Sequence, residues 1–448
     1  MASSEPGTQA RADGAMTLLR PLDIFRFHLP LAVTFLSYGV VFNIINAAMS
    51  DTADAAAALA AFAVGQSIVD LFAGPAGVGN QWLISRGRDR RSFMVGIRVM
   101  AQIALGVSAL LAVFAFTPAG QWLYQDVFGA PARLAPEIAR VIKITLLLPL
   151  LWAWRNSSQS VLMLRRLTHF MSIGVFLRLG FVAMFSVALR GQSMVEGAAV
   201  GAILWVGGMT VEALFLFVVA RQAFARLPAE PAAGALPSPA QIWRFLLPLM
   251  ATGLLWAVSR PLANAAMART VQSEAAIAAF QVGWFASFLL VALQVEFRQV
   301  VVVFWSDRQS LQALQRFGLR LSASLTALAL AVGVSGAAGQ FMRHVLGTPE
   351  DLIPAAVMVF VIAAAGPLLW MITELKVGQL LRNGTTTVIG IAKAVNLVVM
   401  ASTLVVLVNL APQLGAVVGV LGYVAGALTE AAVAWWFVRG MDAKPVAA

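Results

Sequence analysis

The chain has 448 residues, 60% hydrophobic and only 11% charged, with a mean hydropathy of +0.84. Soluble proteins average roughly 45–50% apolar and about 25% charged residues, so the composition excludes an ordinary water-soluble enzyme and fits a chain that crosses a lipid bilayer many times. The absence of Cys removes disulfides, thiolate metal sites and thiol catalysis together. His28, His169 and His344 stand too far apart in sequence for a local metal motif, so no metal and no cofactor is expected. The excess of 31 Lys+Arg over 20 Asp+Glu is read as an asymmetry between the two sides of a membrane, not as a nucleic-acid footprint.

A membrane-spanning helix needs about 20 mainly apolar residues. Apolar runs between charged or Gly/Pro-rich breaks predict twelve such spans, at 27–49, 56–84, 93–116, 138–164, 170–190, 196–220, 241–267, 275–304, 317–338, 352–381, 387–410 and 414–438. The runs are too long and too little alternating for a transmembrane barrel, and the polar first twenty residues lack the apolar core of a signal peptide. With the N-terminus inside, nineteen of the 31 basic residues fall at inner loops or inner span ends, among them Arg86, Arg88, Arg90, Arg91, Arg165, Arg166, Arg221, Arg226, Arg308 and Arg316. Arg133, Arg140, Arg190, Arg269 and Arg343 fall outside. Both termini are therefore expected to face the cytoplasm.

One offset, 218 residues, aligns the two halves without a gap. Ile24-Phe25-Arg26-Phe27-His28-Leu29-Pro30-Leu31 faces Ile242-Trp243-Arg244-Phe245-Leu246-Leu247-Pro248-Leu249, and Asn46-Ala47-Ala48-Met49 faces Asn264-Ala265-Ala266-Met267. Asp89-Arg90 and Ser92 face Asp307-Arg308 and Ser310; Pro149-Leu150-Leu151-Trp152 faces Pro367-Leu368-Leu369-Trp370; Gly208, Glu212 and Arg221 face Gly426, Glu430 and Arg439. Residues 24–92 and 242–310 share 26 identities over 69 positions. Six spans per repeat is an even number, so both halves enter from the same side and are related by a pseudo-twofold axis along the membrane normal. The expected organisation is a cytoplasmic tail (1–22), an N-lobe of six helices (23–221), a cytoplasmic linker (222–240) carrying Pro228, Pro231, Pro237 and Pro239, a C-lobe of six helices (241–439) and a short tail (440–448). Two homologous bundles imply a cleft between them, the frame of an alternating-access transporter.

Polar groups near the bilayer centre are costly and face a cavity or a partner. The acids within spans are Asp70, Glu212, Glu296, Glu374 and Glu430; the bases are Lys143, Arg155, Arg178, Arg260, Arg298, Lys376 and Lys393. Lys143 lies close enough to the outer surface to snorkel, and Arg155 is open to either reading. Asp70 and Arg260 have the repeat counterparts Phe288 and Phe42, a charge asymmetry on a symmetric frame. They read either as an anion grip (Arg260) with a titrating neighbour (Asp70) or as an inter-lobe salt bridge. Glu212 and Glu430 are symmetry mates beside small residues, and read either as structural anchors or as proton-coupling carboxylates; Arg178 and Lys393 are their expected partners. Glu296 and Arg298, like Glu374 and Lys376, stand two apart and point to different helix faces, with Arg298 the candidate for anion contact. Asn43, Asn46, Gln66, Asn264 and Gln281 complete the candidate cleft lining. Pro30, Pro248, Pro149 and Pro367, together with Gly74 and Pro75, are kink or hinge candidates; Gly74-Pro75-x-Gly77-x-Gly79 lacks the strand-turn-helix context of a nucleotide loop and reads as a broken helix.

Leu59-Ala60-Ala61 through Asp70-Leu71-Phe72-Ala73-Gly74-Pro75, Ser85-Arg86-Gly87-Arg88-Asp89-Arg90, Ser259-Arg260-Pro261 with Asn264 and Arg269, Glu296-Phe297-Arg298, and Gly415-Ala416 through Glu430 form a collinear series. It resembles the progressive ankylosis family, in a bacterial-type form, within or near the multidrug/oligosaccharidyl-lipid/polysaccharide (MOP, MATE-like) exporters. The resemblance implies twelve helices in two six-helix lobes and export of an anionic metabolite such as citrate, ATP or pyrophosphate. Asp70 and Glu212 stand where animal members carry basic residues, which leaves the substrate open. The leading reading is thus a non-enzymatic secondary transporter, monomeric, exporting a small-molecule anion with a proton as candidate coupling ion. The alternatives are a proton-coupled cationic-drug antiporter or lipid flippase, and, in another class, a membrane scaffold or integral-membrane enzyme.

Overall fold

The computed structural model describes residues 19–50, 52, 54–189, 197–230 and 236–439. Most of both tails, residues 231–235 of the linker with Pro231, Arg190, and the side chain of Pro75 lie outside the described residues. The first lobe comprises α1 (Pro21–Ser50), α2 (Ala55–Gly77), α3 (Gly79–Arg86), α4 (Arg90–Phe116), α5 (Ala119–Trp122), α6 (Ala135–Ile144), α7 (Leu148–Leu164), α8 (His169–Ala188) and α9 (Ala198–Ala225). The second comprises α10 (Pro239–Met267), α11 (Ser273–Ala292), α12 (Phe297–Phe304), α13 (Arg308–Val334), α14 (Ala337–His344), α15 (Ile353–Ala363), α16 (Gly366–Asn383), α17 (Thr386–Leu410) and α18 (Ala416–Arg439). The repeat holds to the element: α1 and α10, α4 and α13, α6 and α15, α7 and α16, and α9 and α18 each begin 218 residues apart.

Among the described residues, eleven helical segments are long and apolar enough to cross a membrane. The α6–α7 pair, interrupted at Thr145–Leu147, makes the twelfth. Four expected spans are therefore broken rather than continuous, and the breaks have local causes. Pro149 and Pro367 stand in the first turns of α7 and α16, where a missing N–H costs nothing but a helix cannot run through from before. Val78, within the Gly-rich stretch, separates α2 from α3. Glu296 takes a left-handed φ of 70° between α11 and α12. Pro30 and Pro248, by contrast, lie inside unbroken helices and do not sever α1 and α10.

The duplicated Asp-Arg-x-Ser is a helix start. Asp89 caps α4 by accepting a hydrogen bond from the Ser92 amide at 2.8 Å, and Asp307 caps α13 from the Ser310 amide at 2.8 Å. The Ser310 amide and Ser306 hydroxyl hold the exposed Asp307 carboxyl below the usual carboxylate range, so the cap is charged at neutral pH and is lost only as the pH falls through that lowered value.

The apolar cores divide unequally. One core joins both lobes at the end that carries the described chain termini, with Ile24, Phe27, Leu31, Leu83, Phe245, Phe297, Val301 and Leu380 among its members. Towards the opposite end each lobe has a core of its own, one around Ile45, Phe62, Val141 and Trp205, the other around Met267, Phe280, Val359 and Leu404. The lobes are thus fused at the termini end and separate beyond it. Phe27 meets Phe304 edge-on at 5.1 Å, Arg166 lies over the Phe304 ring at 4.2 Å, and Phe35 approaches Phe288 at 6.2 Å. Buried His28 completes the seam: its Nε2 hydrogen bonds to the Leu293 carbonyl at 2.8 Å, and its ring packs edge-on to Phe297. The Leu293 carbonyl is available because α11 has just ended; a carbonyl freed in an apolar interior needs a donor.

Two outcomes are expected. Asp89→Ala lowers stability by about 1 kcal/mol through loss of the cap, measured as thermal unfolding of the purified protein. His28→Leu, which installs the residue of the other lobe (Leu246), leaves the Leu293 carbonyl without its cross-lobe donor. Labelling of a cysteine placed at Leu31, the sole cysteine in a chain that has none, then speeds up; unchanged labelling would show that the hydrogen bond does not hold this end shut.

Candidate functional site

Each lobe carries a buried carboxylate on its last long helix, met by a basic side chain from the helix before it, with an aromatic ring of the first helix over that base. In the first lobe Glu212 of α9 is fully buried. It takes a hydrogen bond from Arg155 Nε at 2.6 Å, and Arg178 Nη1 lies 2.9 Å from its other oxygen, outside hydrogen-bond alignment. Arg178 also donates to Ser37 Oγ at 2.8 Å, and both guanidinium groups sit over the Tyr38 ring, at 5.8 and 4.7 Å. In the second lobe Glu430 of α18 accepts from Lys393 Nζ at 2.6 Å and Asn396 Nδ2 at 2.5 Å, while Lys393 lies 5.5 Å over the Trp256 ring. Tyr38 and Trp256, Arg178 and Asn396, and Glu212 and Glu430 are all repeat mates.

The small residues flanking the acids explain the close approach. A Cβ added at Gly208 would lie 3.0 Å from Arg178 Cγ, and one at Gly426 would lie 2.6 Å from Asn396 Oδ1. Glycine at these two positions lets the donor helix come near enough for a short side chain to reach the carboxylate.

The lobes differ in what the cluster leaves open. The first is filled by its two arginines. In the second, Thr373 replaces Arg155 and Asn396 replaces Arg178. The space so vacated is a cavity with about 120 Å3 open to the centres of water molecules, bounded by Trp256, Trp284, Phe288, Trp370 and Tyr423 and by Lys393, Glu430, Arg298 and Glu374. Arg298 is clamped by Glu374, whose oxygens accept from the Arg298 backbone amide at 2.9 Å, from Nε at 3.0 and 2.9 Å, and from Nη2. The charged lining balances: two bases face two acids. Glu296, half-buried, accepts from Gln299 at 2.9 Å, and Lys376 is half-buried on α16.

Of the two readings of Asp70 and Arg260, the inter-lobe salt bridge is not made in this structure. Exposed Asp70 takes a long hydrogen bond of 3.4 Å from Gln66 on its own helix. Exposed Arg260 donates to Gln281 Oε1, and Gln281 Nε2 in turn donates to Asn264 Oδ1 at 3.2 Å. Arg260 is therefore held by a neutral amide relay in its own lobe, on α10 and α11, where the lobes have separate cores. Asn43 and Asn46 are exposed on α1 at the corresponding depth. Arg155, open to either reading in the sequence, is buried in the ion cluster; Lys143 is exposed and lies 5.1 Å over the Phe116 ring.

Sequence reasoning named Arg178 and Lys393 as partners of the duplicated acids, and the structure brings them together. It also named Asn264, Gln281 and Arg260 separately, which the structure joins. It missed Tyr38, Trp256, Asn396, the Arg298–Glu374 clamp and Gln159, whose Nε2 donates a long hydrogen bond of 3.5 Å to Glu212 Oε1. The repeat offset carried a signal for three of these, because Tyr38/Trp256 and Arg178/Asn396 align.

No protein-family model and no curated protein matches the chain, so the resemblance to the progressive ankylosis family rests on the residues quoted for it. Solved structures do match. A MOP superfamily transporter from Pyrococcus furiosus, described as having a binding pocket of reverse polarity that suggests a different function, superposes with a TM-score of 0.73 at 15% identity, covering 94% of this chain and 95% of that one. An outward-facing multidrug resistance MATE family transporter of the same superfamily gives 0.72 at 15% identity over 94% and 95%. A Vibrio cholerae MATE transporter gives 0.72 at 16% identity over 95% and 97%. The fold is that of the MATE transporters: twelve helices in two lobes.

A carboxylate pinned between two buried guanidinium groups should tolerate neutralisation worse than one beside a cavity. Glu212→Gln is expected to cost about 3–5 kcal/mol, the range for stranding a buried charge. Glu430→Gln should cost less, because Lys393 borders the cavity; paired thermal unfolding curves measure the difference.

Proposed function

We propose that this chain is a secondary transporter of a small organic ion, moved through the cleft between the lobes by rocking of one six-helix lobe against the other. The observation that carries the reading is the division of the cores: one shared core seals the termini end, and two separate cores flank polar, exposed side chains beyond it. With the termini in the cytoplasm, as the basic-residue bias favours, this is an outward-facing arrangement in a bacterial inner membrane. The likeness to MATE-type folds supports the same reading.

For the substrate, an anion is favoured by Arg260. Its guanidinium is exposed in the open half and bound to a neutral amide, so it retains its charge for a ligand. The first lobe adds to this, because its buried cluster sets one carboxylate against two arginines and so carries a net positive charge. Arg298 enters only if its clamp to Glu374 opens. Asp70, exposed and bonded only to an amide, and Glu430, bordering the cavity, are the candidate carriers of a coupling proton. A monomer is sufficient for this cycle, since each chain supplies both lobes.

A second reading has its own observation. Five aromatic rings wall the cavity of the second lobe, and such rings attract organic cations. A cationic substrate lodged there would use Glu430 and Glu374 as counter-ions, in the manner of a proton-coupled drug antiporter.

Proteoliposomes separate the two. With purified protein, flux of a tricarboxylate or pyrophosphate should fall about tenfold or more in Arg260→Gln, as expected for loss of a charged hydrogen bond, while flux of a quaternary ammonium dye stays at background. Dye flux that survives Arg260→Gln and disappears in Glu430→Gln would establish the cationic reading instead. Absence of both would remove the proposal.

A further inference from the structure

The surface of the first lobe carries an apolar groove. It runs between α4, α7 and α9, its water-accessible core amounts to about 480 Å3, and apolar side chains line nearly all of it. Two aromatic pairs mark its course: Phe93 against Phe224 at 5.7 Å, near the termini end, and Trp154 against Phe217 at 5.2 Å. Arg221, exposed, is the single charged residue in the lining, and it sits one helical turn beyond Phe217 towards the termini end.

The groove exists because small residues replace large ones. Ala101, Ala153, Ser157, Ser158 and Ala220 line it, and their repeat mates are Leu319, Met371, Leu375, Lys376 and Val438. In the second lobe Met371 fills the equivalent position against Gly318. The hydroxyls of Ser157 and Ser158 are satisfied by carbonyls one turn back in α7, so they present no unmet polar group to an occupant.

We propose that this groove seats one acyl chain of a membrane phospholipid whose phosphate is held by Arg221, in the leaflet on the side of the chain termini. The chemistry matches along its length. An apolar channel receives a hydrocarbon chain by close packing, which is what drives association where no water is displaced. A guanidinium at the channel mouth, at headgroup depth, pairs with a phosphate in a geometry that lysine does not reproduce. An anionic phospholipid is therefore preferred over an uncharged diacylglycerol.

Native mass spectrometry of the full chain in a non-ionic detergent tests it, using phosphatidylglycerol, diacylglycerol and glycerol phosphate as probes. The expected result is one phosphatidylglycerol retained per monomer, with neither diacylglycerol nor glycerol phosphate retained. Arg221→Gln should weaken retention about fivefold, the worth of one basic side chain near a membrane surface. Ala101→Leu, which installs the residue already used in the other lobe, should abolish it by filling the channel. Equal retention in all three proteins, retention of glycerol phosphate alone, or a dimer that Ala101→Leu disrupts would each overturn the assignment. Arg221 is at the exposed rim, so its variant remains informative even if Ala101→Leu fails to fold.

Discussion

A carboxylate cannot be left alone in a hydrocarbon-like interior, and two facts of this molecule follow from that constraint. Glu212 and Glu430 each oblige the preceding helix to bring a cation, and that cation can arrive only where the helices touch closely. Gly208 and Gly426 supply the closeness; Tyr38 and Trp256 cover the cation from the first helix of each lobe. The carboxylate thereby ties four spans of the first lobe and three of the second at one depth. Apolar packing adds area around the tie, but it has no comparable directionality.

The gross architecture is written in the repeat. An ungapped offset can persist only if each helix keeps its length and order, and the paired helices indeed begin 218 residues apart, α8 and α17 alone differing by one residue. The helix breaks were partly legible too, at Pro149, Pro367 and the Gly74–Gly79 stretch, because proline and glycine act through local backbone geometry. Glu296 announced nothing of the kind: a left-handed glutamate is imposed by its surroundings. The site was legible where partners lie on consecutive helices, as for Glu212 with Arg178 and Glu430 with Lys393. It was illegible for Arg298 with Glu374, which are 76 residues apart on helices that only the tertiary fold sets side by side. The alternative of an Asp70–Arg260 bridge is not realised here for a related reason. Opposite charges on different lobes meet only if the lobes are closed at that depth, and span order says nothing about which end is closed.

Symmetry in the backbone throws the chemistry into relief. At paired positions the frame is the same while the side chains differ: Arg155 against Thr373, Arg178 against Asn396, Asp70 against Phe288, Phe42 against Arg260. One lobe spends the space on a solid ion cluster and the other leaves it as an aromatic-walled chamber. A shared fold at 15–16% identity with MATE structures therefore says where such a chamber can form, and these substitutions decide what it can hold.

The seam at the termini end also has a thermodynamic meaning. Opening it would pull Phe27 from Phe304 and His28 from Leu293, wetting an interface that is now dry. Such a motion is uphill unless surface of similar extent becomes covered at the opposite mouth, where each half now has its own core. In the proposed rocking cycle, inward and outward forms would have to lie within a few kcal/mol of one another, and a ligand in the cleft would shift them only by the difference in its affinity for the two. A ligand that clings to both equally would occupy the protein and leave it still.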